Sequence, residues 1–163
     1  LKKMNKRVLA AKLTGAGRYR DVLTMKDSGA DVIYDFTDAG LPSTVCSKAA
    51  YAEAIQRLMS NMAAEDVDIA VIEAGASPLE PYNGETAIEL LRPYIRSTIL
   101  CASDPYAAYG FIQVGEIKPD LITGIACNTA AGQELVHKLT GVTPLCLSDV
   151  AAIEALDAML ARI

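Results

Sequence analysis

The sequence predicts an α/β fold, a three-layer and mostly parallel doubly wound sheet with helices on both faces. Short β-rich runs alternate with helical stretches along the 163 residues, and this alternation is typical of parallel strands joined by crossover helices. The strand candidates are continuous apolar runs, as expected for strands buried on both faces. The sequence shows no repeat, low-complexity segment or interdomain linker, so we expect a single α/β domain over residues 1–163.

Six apolar runs are predicted to be strands. They are Val8–Lys12, Val32–Phe36, Ile69–Glu73, Thr98–Cys101, Leu121–Cys127 and Pro144–Leu147. Before the first run, the residues Leu1–Lys6 are typical of the end of a helix. We therefore expect the chain to join its domain inside a helix and to enter the sheet directly afterwards.

Four helices are predicted from the residues at their ends. The predicted N-caps are Ser47 for Lys48–Ala63, Asp104 for the helix that opens at Pro105, Thr129 for Ala130–Thr140 and Ser148 for Asp149–Arg162. Side chains of this kind accept hydrogen bonds from first-turn N–H groups, and proline is favoured at the first helical position. Gly141 is typical of the residue that follows a helix.

Composition narrows the classes of function. A net charge of −5 argues against a nucleic-acid partner, and no basic cluster compensates for it. A hydrophobic content of 52% with 21% charged residues is typical of a folded globular protein. Charges, Gly and Pro interrupt the apolar runs well before the ~18 residues that a membrane span needs. We expect a small-molecule substrate, and neither a nucleic acid nor a membrane as partner.

The four cysteines share no metal-ligand spacing. They are Cys46, Cys101, Cys127 and Cys146. Three of the four lie in or at the end of apolar runs. We therefore interpret the cysteines as reduced core residues. Reduced thiols are typical of cytosolic proteins, and we therefore expect a cytoplasmic location.

Polar residues follow the predicted strands, where open parallel sheets bind their ligands. Strand by strand, the most prominent are Lys12, Thr14 and Gly15; Asp38, Ser43 and Thr44; Glu73 and Gly75; Asp104; Asn128 and Thr129; and Ser148 and Asp149. Helix capping accounts for Asp104, Thr129 and Ser148 without any further function. The remaining residues are the candidates for a site.

Lys12 and Glu73 are the strongest of these candidates. Glu73 ends a strand that is otherwise almost wholly apolar, and a carboxylate there can hold Mg²⁺ directly or through water. The Lys12 ammonium can reach a phosphate or a developing negative charge. The alternatives are an exposed strand-terminal acid for Glu73 and, for Lys12, an ammonium that extends into solvent.

Three motifs carry a family resemblance by their order and placement. They are Lys12-Leu13-Thr14-Gly15, Glu73-Ala74-Gly75-Ala76 and Ile125-Ala126-Cys127-Asn128. In this order they resemble the dethiobiotin-synthetase-like branch of the SIMIBI class of P-loop NTPases. The segment Lys12–Thr44 is more similar still to an uncharacterised prokaryotic family with an N-terminal Rossmann-like region and a C-terminal P-loop domain.

The resemblance implies the nucleotide-binding domain of a Mg²⁺-dependent NTPase or ligase-type enzyme, with ATP and Mg²⁺ as cofactors. The implied roles are catalysis for Lys12 and Glu73, Mg²⁺ binding for Asp38 and Glu73, backbone approach to the phosphates for Gly75, adenine contact for Asn128, and substrate contact for Thr14, Ser43 and Thr44.

The sequence departs from the family in two places. The Gly-rich Walker A loop has no match, so we expect a fragment that lacks the first strand and the phosphate loop and is inactive alone. The remainder of its own polypeptide, or a second copy in a homo-oligomer, would then cover the gap. The turn after Glu73 is Ala-Gly-Ala-Ser, where dethiobiotin synthetase has a Gly-rich turn. This difference argues against the biotin-pathway substrate.

Two other hypotheses stay open. A non-catalytic regulatory domain would keep the fold and tolerate replacement of Lys12 and Glu73. A different doubly wound fold, such as a flavodoxin-like or small-metabolite-binding domain, would bind its ligand through helix N-termini alone. NAD is disfavoured, because Arg20 stands where the dinucleotide motif that begins at Gly15 needs its third glycine.

Overall fold

The computed structural model describes residues 1–75, 77–115 and 118–161. The chain divides into two compact units, Leu1–Pro93 and Tyr94–Ile163. In the described residues each unit has a three-stranded sheet in which all strands are parallel. The α/β class and the parallel strands are confirmed, whereas a single domain over residues 1–163 stays a prediction.

The first unit is built around one buried central strand. Its elements are β1 (Val8–Thr14), α1 (Tyr19–Asp27), β2 (Val32–Asp35), α2 (Lys48–Ala63), β3 (Ile69–Ala74) and α3 (Gly84–Leu91). The strand order is β2-β1-β3, and every residue of β1 is buried. The burial predicted from the continuous apolar run that begins at Val8 is therefore confirmed for this strand.

Alternate residues of β1 supply one side of the core of this unit. Leu9 and Leu13 pack with Phe36 and with the buried face of α2, which includes Tyr51 and Ile55. The Tyr51 hydroxyl donates a hydrogen bond to the carbonyl oxygen of Leu13 at 2.9 Å, so its polar atom is satisfied inside the core. Burial raises the pKa of Tyr51 far above its usual range. This contact fixes α2 to the carboxyl end of β1.

The second unit has the same kind of sheet with shorter strands. Its elements are β4 (Ile99–Cys101), α4 (Pro105–Val114), β5 (Leu121–Thr123), α5 (Ala130–Thr140), β6 (Thr143–Pro144) and α6 (Val150–Leu160). The strand order is β4-β5-β6. The Thr123 hydroxyl donates to the Leu145 carbonyl at 2.8 Å, and Ile122, Val136 and Val142 lie in the core.

Most of the predicted helix ends are confirmed. Ser47 accepts from Ala50 N at 3.3 Å, and Thr129 accepts from Gly132 N at 3.1 Å. Asp104 accepts from two first-turn N–H groups at 2.9 Å each, and the hydrogen bond from Ala107 lowers the pKa of its carboxyl. Gly141 ends α5 with φ 66°. The predicted helix end over Leu1–Lys6 is a short 3₁₀ turn, Lys2–Met4.

The predicted strand Leu121–Cys127 is wrong in its second half. The strand ends at Thr123, and Ile125–Cys127 form a 3₁₀ turn. Gly124 causes the break, because its φ is +94° and a Cβ there would lie 2.7 Å from the Ala102 carbonyl oxygen. This close approach is a tertiary contact that an apolar run does not reveal.

The last predicted strand and helix are also corrected. The strand is Thr143–Pro144 rather than Pro144–Leu147. Ser148 is not the N-cap of α6. Asp149 holds that position without a side-chain cap hydrogen bond, and Ser148 Oγ lies 2.9 Å from Cys146 Sγ. The predicted end at Arg162 lies outside the described residues.

All four cysteines are reduced, with no disulfide among them. Cys127 and Cys146 are buried as expected, whereas Cys46 and Cys101 are exposed, so a core position is wrong for these two.

In the described part of the chain, no helix combines the length and the apolar character that crossing a bilayer requires.

Thr129→Ala is expected to lower the free energy of unfolding by about 1 kcal/mol, because the first turn of α5 loses its side-chain cap. Urea denaturation measures the change. Ser148→Ala is the matched control, since Ser148 precedes α6 but does not cap it. A loss for Ser148→Ala as large as that for Thr129→Ala would contradict the assignment of the two caps.

Candidate functional site

The carboxyl end of the first unit's sheet places one ammonium between two carboxylates. Lys12 of β1 is in register with Asp35 of β2 on one side and with Glu73 of β3 on the other. Residues in register on neighbouring parallel strands point to the same face of the sheet. Three ionisable side chains from three adjacent strands therefore form one row at the sheet edge where parallel sheets bind ligands.

Lys12 is buried rather than extended into solvent. Its side chain is 7% exposed and forms an ion pair with Asp21, in the first turn of α1. The ammonium also donates to the carbonyl oxygen of Ala16 at 3.2 Å. An ammonium has three donors, and the third has no hydrogen-bond acceptor among the described residues. Since a buried charge is costly without a partner, Asp21 is essential to this arrangement.

The turn that follows β1 is held from two sides. Gly15 has a φ of +112°, and its N–H donates to Thr44 Oγ1 at 2.9 Å. Thr44 Oγ1 in turn donates to the carbonyl oxygen of Tyr82 at 2.8 Å. Ala16 forms an antiparallel bridge with Ser43. These contacts tie the turn to two loops, and they fix the Ala16 carbonyl that the Lys12 ammonium meets.

Glu73 lies half-buried against the backbone of its own turn. A Cβ on Gly75 would come within 2.9 Å of Glu73 Oε1 and 3.5 Å of the Thr14 carbonyl oxygen. The Thr14 hydroxyl donates to the Gly75 carbonyl at 2.6 Å. A side chain at position 75 would therefore shift the Glu73 carboxylate, which is the flexible end of its side chain.

Burial raises the pKa of the Glu73 carboxyl group. The positive charge of Lys12 opposes this shift, whereas the negative charges of Asp21 and Asp35 add to it. Burial also raises the pKa of Asp35. Two carboxyl groups beside the lysine thus hold protons more readily than ordinary acids do.

Glu73→Gln is expected to stabilise the protein relative to wild type as the pH rises. A carboxyl group whose pKa is raised by folding contributes stability that is fully present below its unfolded pKa and is lost as the pH rises through its folded pKa. The difference in unfolding free energy should therefore grow in favour of Glu73→Gln from pH 4 towards pH 7. Urea denaturation across this range measures it, with Glu89→Gln on the exposed surface of α3 as the control. An equal pH trend for both variants would contradict a pKa of Glu73 that its half-buried environment raises.

The structure brings most of the predicted site residues together. Those that gather at this end of the first unit are Lys12, Thr14, Ser43, Thr44, Glu73 and Gly75. Thr14 and Thr44 are fully buried and their hydroxyls already form hydrogen bonds, so their evident role is to shape the loops. Their contact with a substrate, like that of Ser43, stays a prediction.

Asn128 belongs to the second unit, where it is exposed and follows the 3₁₀ turn Ile125–Cys127. Its predicted adenine contact also stays a prediction.

Asp38 has a structural role in a capping box. Its carboxylate accepts from the backbone N–H of Asp35 at 2.8 Å, and the Asp35 carboxylate accepts from Thr37 N at 3.2 Å. Across the described ranges, no group of three or more His, Cys, Asp and Glu side chains is arranged to hold a metal ion. Because Mg²⁺ is often held by only one or two carboxylates together with substrate phosphates, the metal roles of Asp38 and Glu73 stay predictions.

Asp21 and Asp35 are the site residues that sequence reasoning missed. The sequence does indicate Asp35 as a candidate, since it is the only charged residue of the predicted strand Val32–Phe36 and precedes its last residue. The sequence offers no such indication for Asp21, because it lies within a helix and meets Lys12 only when α1 folds back beside β1.

Comparisons with known proteins identify no family for this chain. A scan against protein-family models and searches of the curated proteins and of the solved structures found no match.

Proposed function

We propose that this chain is the nucleotide-binding part of a Mg²⁺-dependent, P-loop NTPase-like enzyme of the NTPase or ligase type. The site at the carboxyl end of β1–β3 would receive the phosphates of ATP or the anionic group of a small substrate. The observation that carries the proposal is the Lys12 ammonium, which is buried near the end of the central strand. It is paired with Asp21 and donates to the Ala16 carbonyl. Charge-assisted hydrogen bonds from such a group bind phosphate strongly.

Glu73 supplies the carboxylate oxygens that Mg²⁺ prefers, and this ion is often held by only one or two carboxylates together with substrate phosphates. Burial beside Asp35 disfavours the ionised form of Glu73, and a bound cation would favour it again. When bound, Mg²⁺ would neutralise charge on the phosphates. Glu73 is the residue that would hold it, either directly or through water.

The chain's own residues supply electrostatics and position. Lys12 would stabilise negative charge at the reacting group from a site that is already organised. Glu73 with its raised pKa can hold or release a proton at its carboxylate oxygens. Gly75 leaves room for this carboxylate, and the Thr14 hydroxyl anchors the Gly75 carbonyl beside it. Thr44 fixes the turn that carries Ala16.

A second candidate is a non-catalytic domain that binds a small metabolite or serves regulation. The observation that favours it is the closed ion pair between Lys12 and Asp21. A lysine that is already neutralised suits reversible binding of an anion without turnover. Both candidates use the same site, and they differ in whether phosphoryl transfer follows binding.

Calorimetric titration with MgATP, combined with a phosphate-release assay, tests both candidates. The 163-residue protein is titrated, with adenosine as a control that lacks phosphates. Saturable MgATP binding with phosphate release supports the enzyme. Binding without release supports the metabolite-binding domain. The absence of MgATP binding would contradict the nucleotide proposal.

A further inference from the structure

The ion pair between Asp21 and Lys12 occupies the ammonium that a ligand would bind. We propose that the Asp21 carboxylate occupies the position of a ligand oxyanion, and that a carboxylate or phosphate group of the ligand replaces it at the Lys12 ammonium. The inference rests on the proposed function, because it concerns the same site. It adds the class of the ligand group and a residue that controls its access.

The two partners differ in how firmly they are held. Lys12 belongs to β1, in which all residues are buried. Asp21 belongs to the first turn of α1, and its side chain is 32% exposed. The N-cap of this helix, Arg18, makes no side-chain cap hydrogen bond. Asp21 is thus the partner that can leave, while the ammonium stays in place.

Asp21 is also the carboxylate that hydrogen-bonds the ammonium directly. Asp35 and Glu73 lie in register beside Lys12, but the described acceptors of its N–H groups are Asp21 and the Ala16 carbonyl. Replacement of Asp21 by a ligand oxyanion keeps one anion on the buried ammonium in both states. This exchange avoids an unpaired buried charge, which would be costly.

Two arginines accompany Asp21 on the same segment. The positive charges of Arg18 and Arg20 act on its carboxylate and, together with Lys12, lower its pKa. The hydrogen bond from Lys12 is the largest cause of this shift. When a ligand takes the ammonium, these arginines can stabilise the released carboxylate or the incoming oxyanion. The segment 18–21 therefore carries charges suited to an exchange of anions.

Calorimetry on the full chain with Asp21→Asn tests the inference, using MgATP, inorganic phosphate and acetate as probes. Asparagine removes the competing charge, so oxyanion affinity is expected to rise by about 10- to 100-fold. Asp27→Asn is the matched control, since it removes the same charge from the last turn of the same helix. If Asp21→Asn gains more affinity for phosphate than for acetate, the ligand group is a phosphate. If it gains more affinity for acetate, the ligand group is a carboxylate.

The outcomes separate this inference from the proposed function. If wild type binds MgATP and Asp21→Asn binds no more tightly, the exchange is overturned and the nucleotide site stands. If neither protein binds any probe, both are overturned. Should Asp21→Asn unfold because Lys12 has lost its partner, phosphate is expected to restore its folded circular-dichroism spectrum. Failure of saturating phosphate to do so would overturn the exchange.

Discussion

Lys12→Met is expected to weaken MgATP binding by about 100-fold, since removal of one partner of a buried, hydrogen-bonded charge pair typically costs 2–5 kcal/mol. Methionine retains much of the apolar stem but donates no hydrogen bond. Lys12 lies on the central strand and its side chain is buried, so water cannot replace the ammonium easily. Isothermal titration calorimetry measures the change.

Lys48→Met is the matched control for this experiment. Lys48 lies at the start of α2, is exposed and pairs with Glu85 at 3.0 Å, so the same substitution removes the same charge from the surface. We expect its MgATP affinity to stay near that of wild type. Equal affinities for Lys12→Met and Lys48→Met would contradict a direct role for Lys12 in binding.

Thr44→Val is expected to lower the free energy of unfolding by about 2–4 kcal/mol, because each buried polar group left unpaired costs about 1–3 kcal/mol. The substitution preserves the shape of the side chain but removes its hydroxyl. The N–H of Gly15 loses its acceptor and the carbonyl of Tyr82 loses its donor. Urea denaturation measures the loss.

Thr24→Val supplies the comparison for this loss. Thr24 is exposed on α1, and its hydroxyl donates to the Arg20 carbonyl at 2.9 Å, so solvent can replace the hydrogen bond. If Thr44→Val lowered the free energy of unfolding no more than Thr24→Val does, the stabilising role of the Thr44 hydroxyl at the turn after β1 would be refuted. If it left stability unchanged but weakened ligand binding, the substrate contact predicted for Thr44 would be supported instead.

Local signals explain which parts of the fold the sequence predicts. The helix Lys48–Ala63 is found with its predicted bounds, because the cap at Ser47 is a contact between near neighbours in the chain. The end of β5 is missed, since Gly124 breaks the strand by close approach to Ala102. The helix Tyr19–Asp27 was not predicted either, and the residue in its N-cap position, Arg18, makes no capping bond.

The site residues likewise divide into those that local sequence identifies and those that only tertiary contacts bring together. Lys12 and Glu73 could be identified from sequence because each ends an apolar run, and parallel strands present their carboxyl ends at one edge. Their register with Asp35 needs the sheet itself. The pairing of Lys12 with Asp21 depends on the path of the Gly15–Gly17 turn, which the loops around Thr44 and Tyr82 hold. No local pattern encodes that contact.

NMR of lysine side-chain NH₃⁺ groups tests whether the Lys12 ammonium contacts the ligand, as we propose. A ¹H–¹⁵N correlation spectrum of the labelled protein, with the Lys12 signal assigned by its loss in Lys12→Met, is recorded during a MgATP titration. We expect the Lys12 signal to shift saturably as its partner changes from Asp21 to the ligand. A Lys12 signal that stays unchanged while backbone signals reach saturation would contradict the claim.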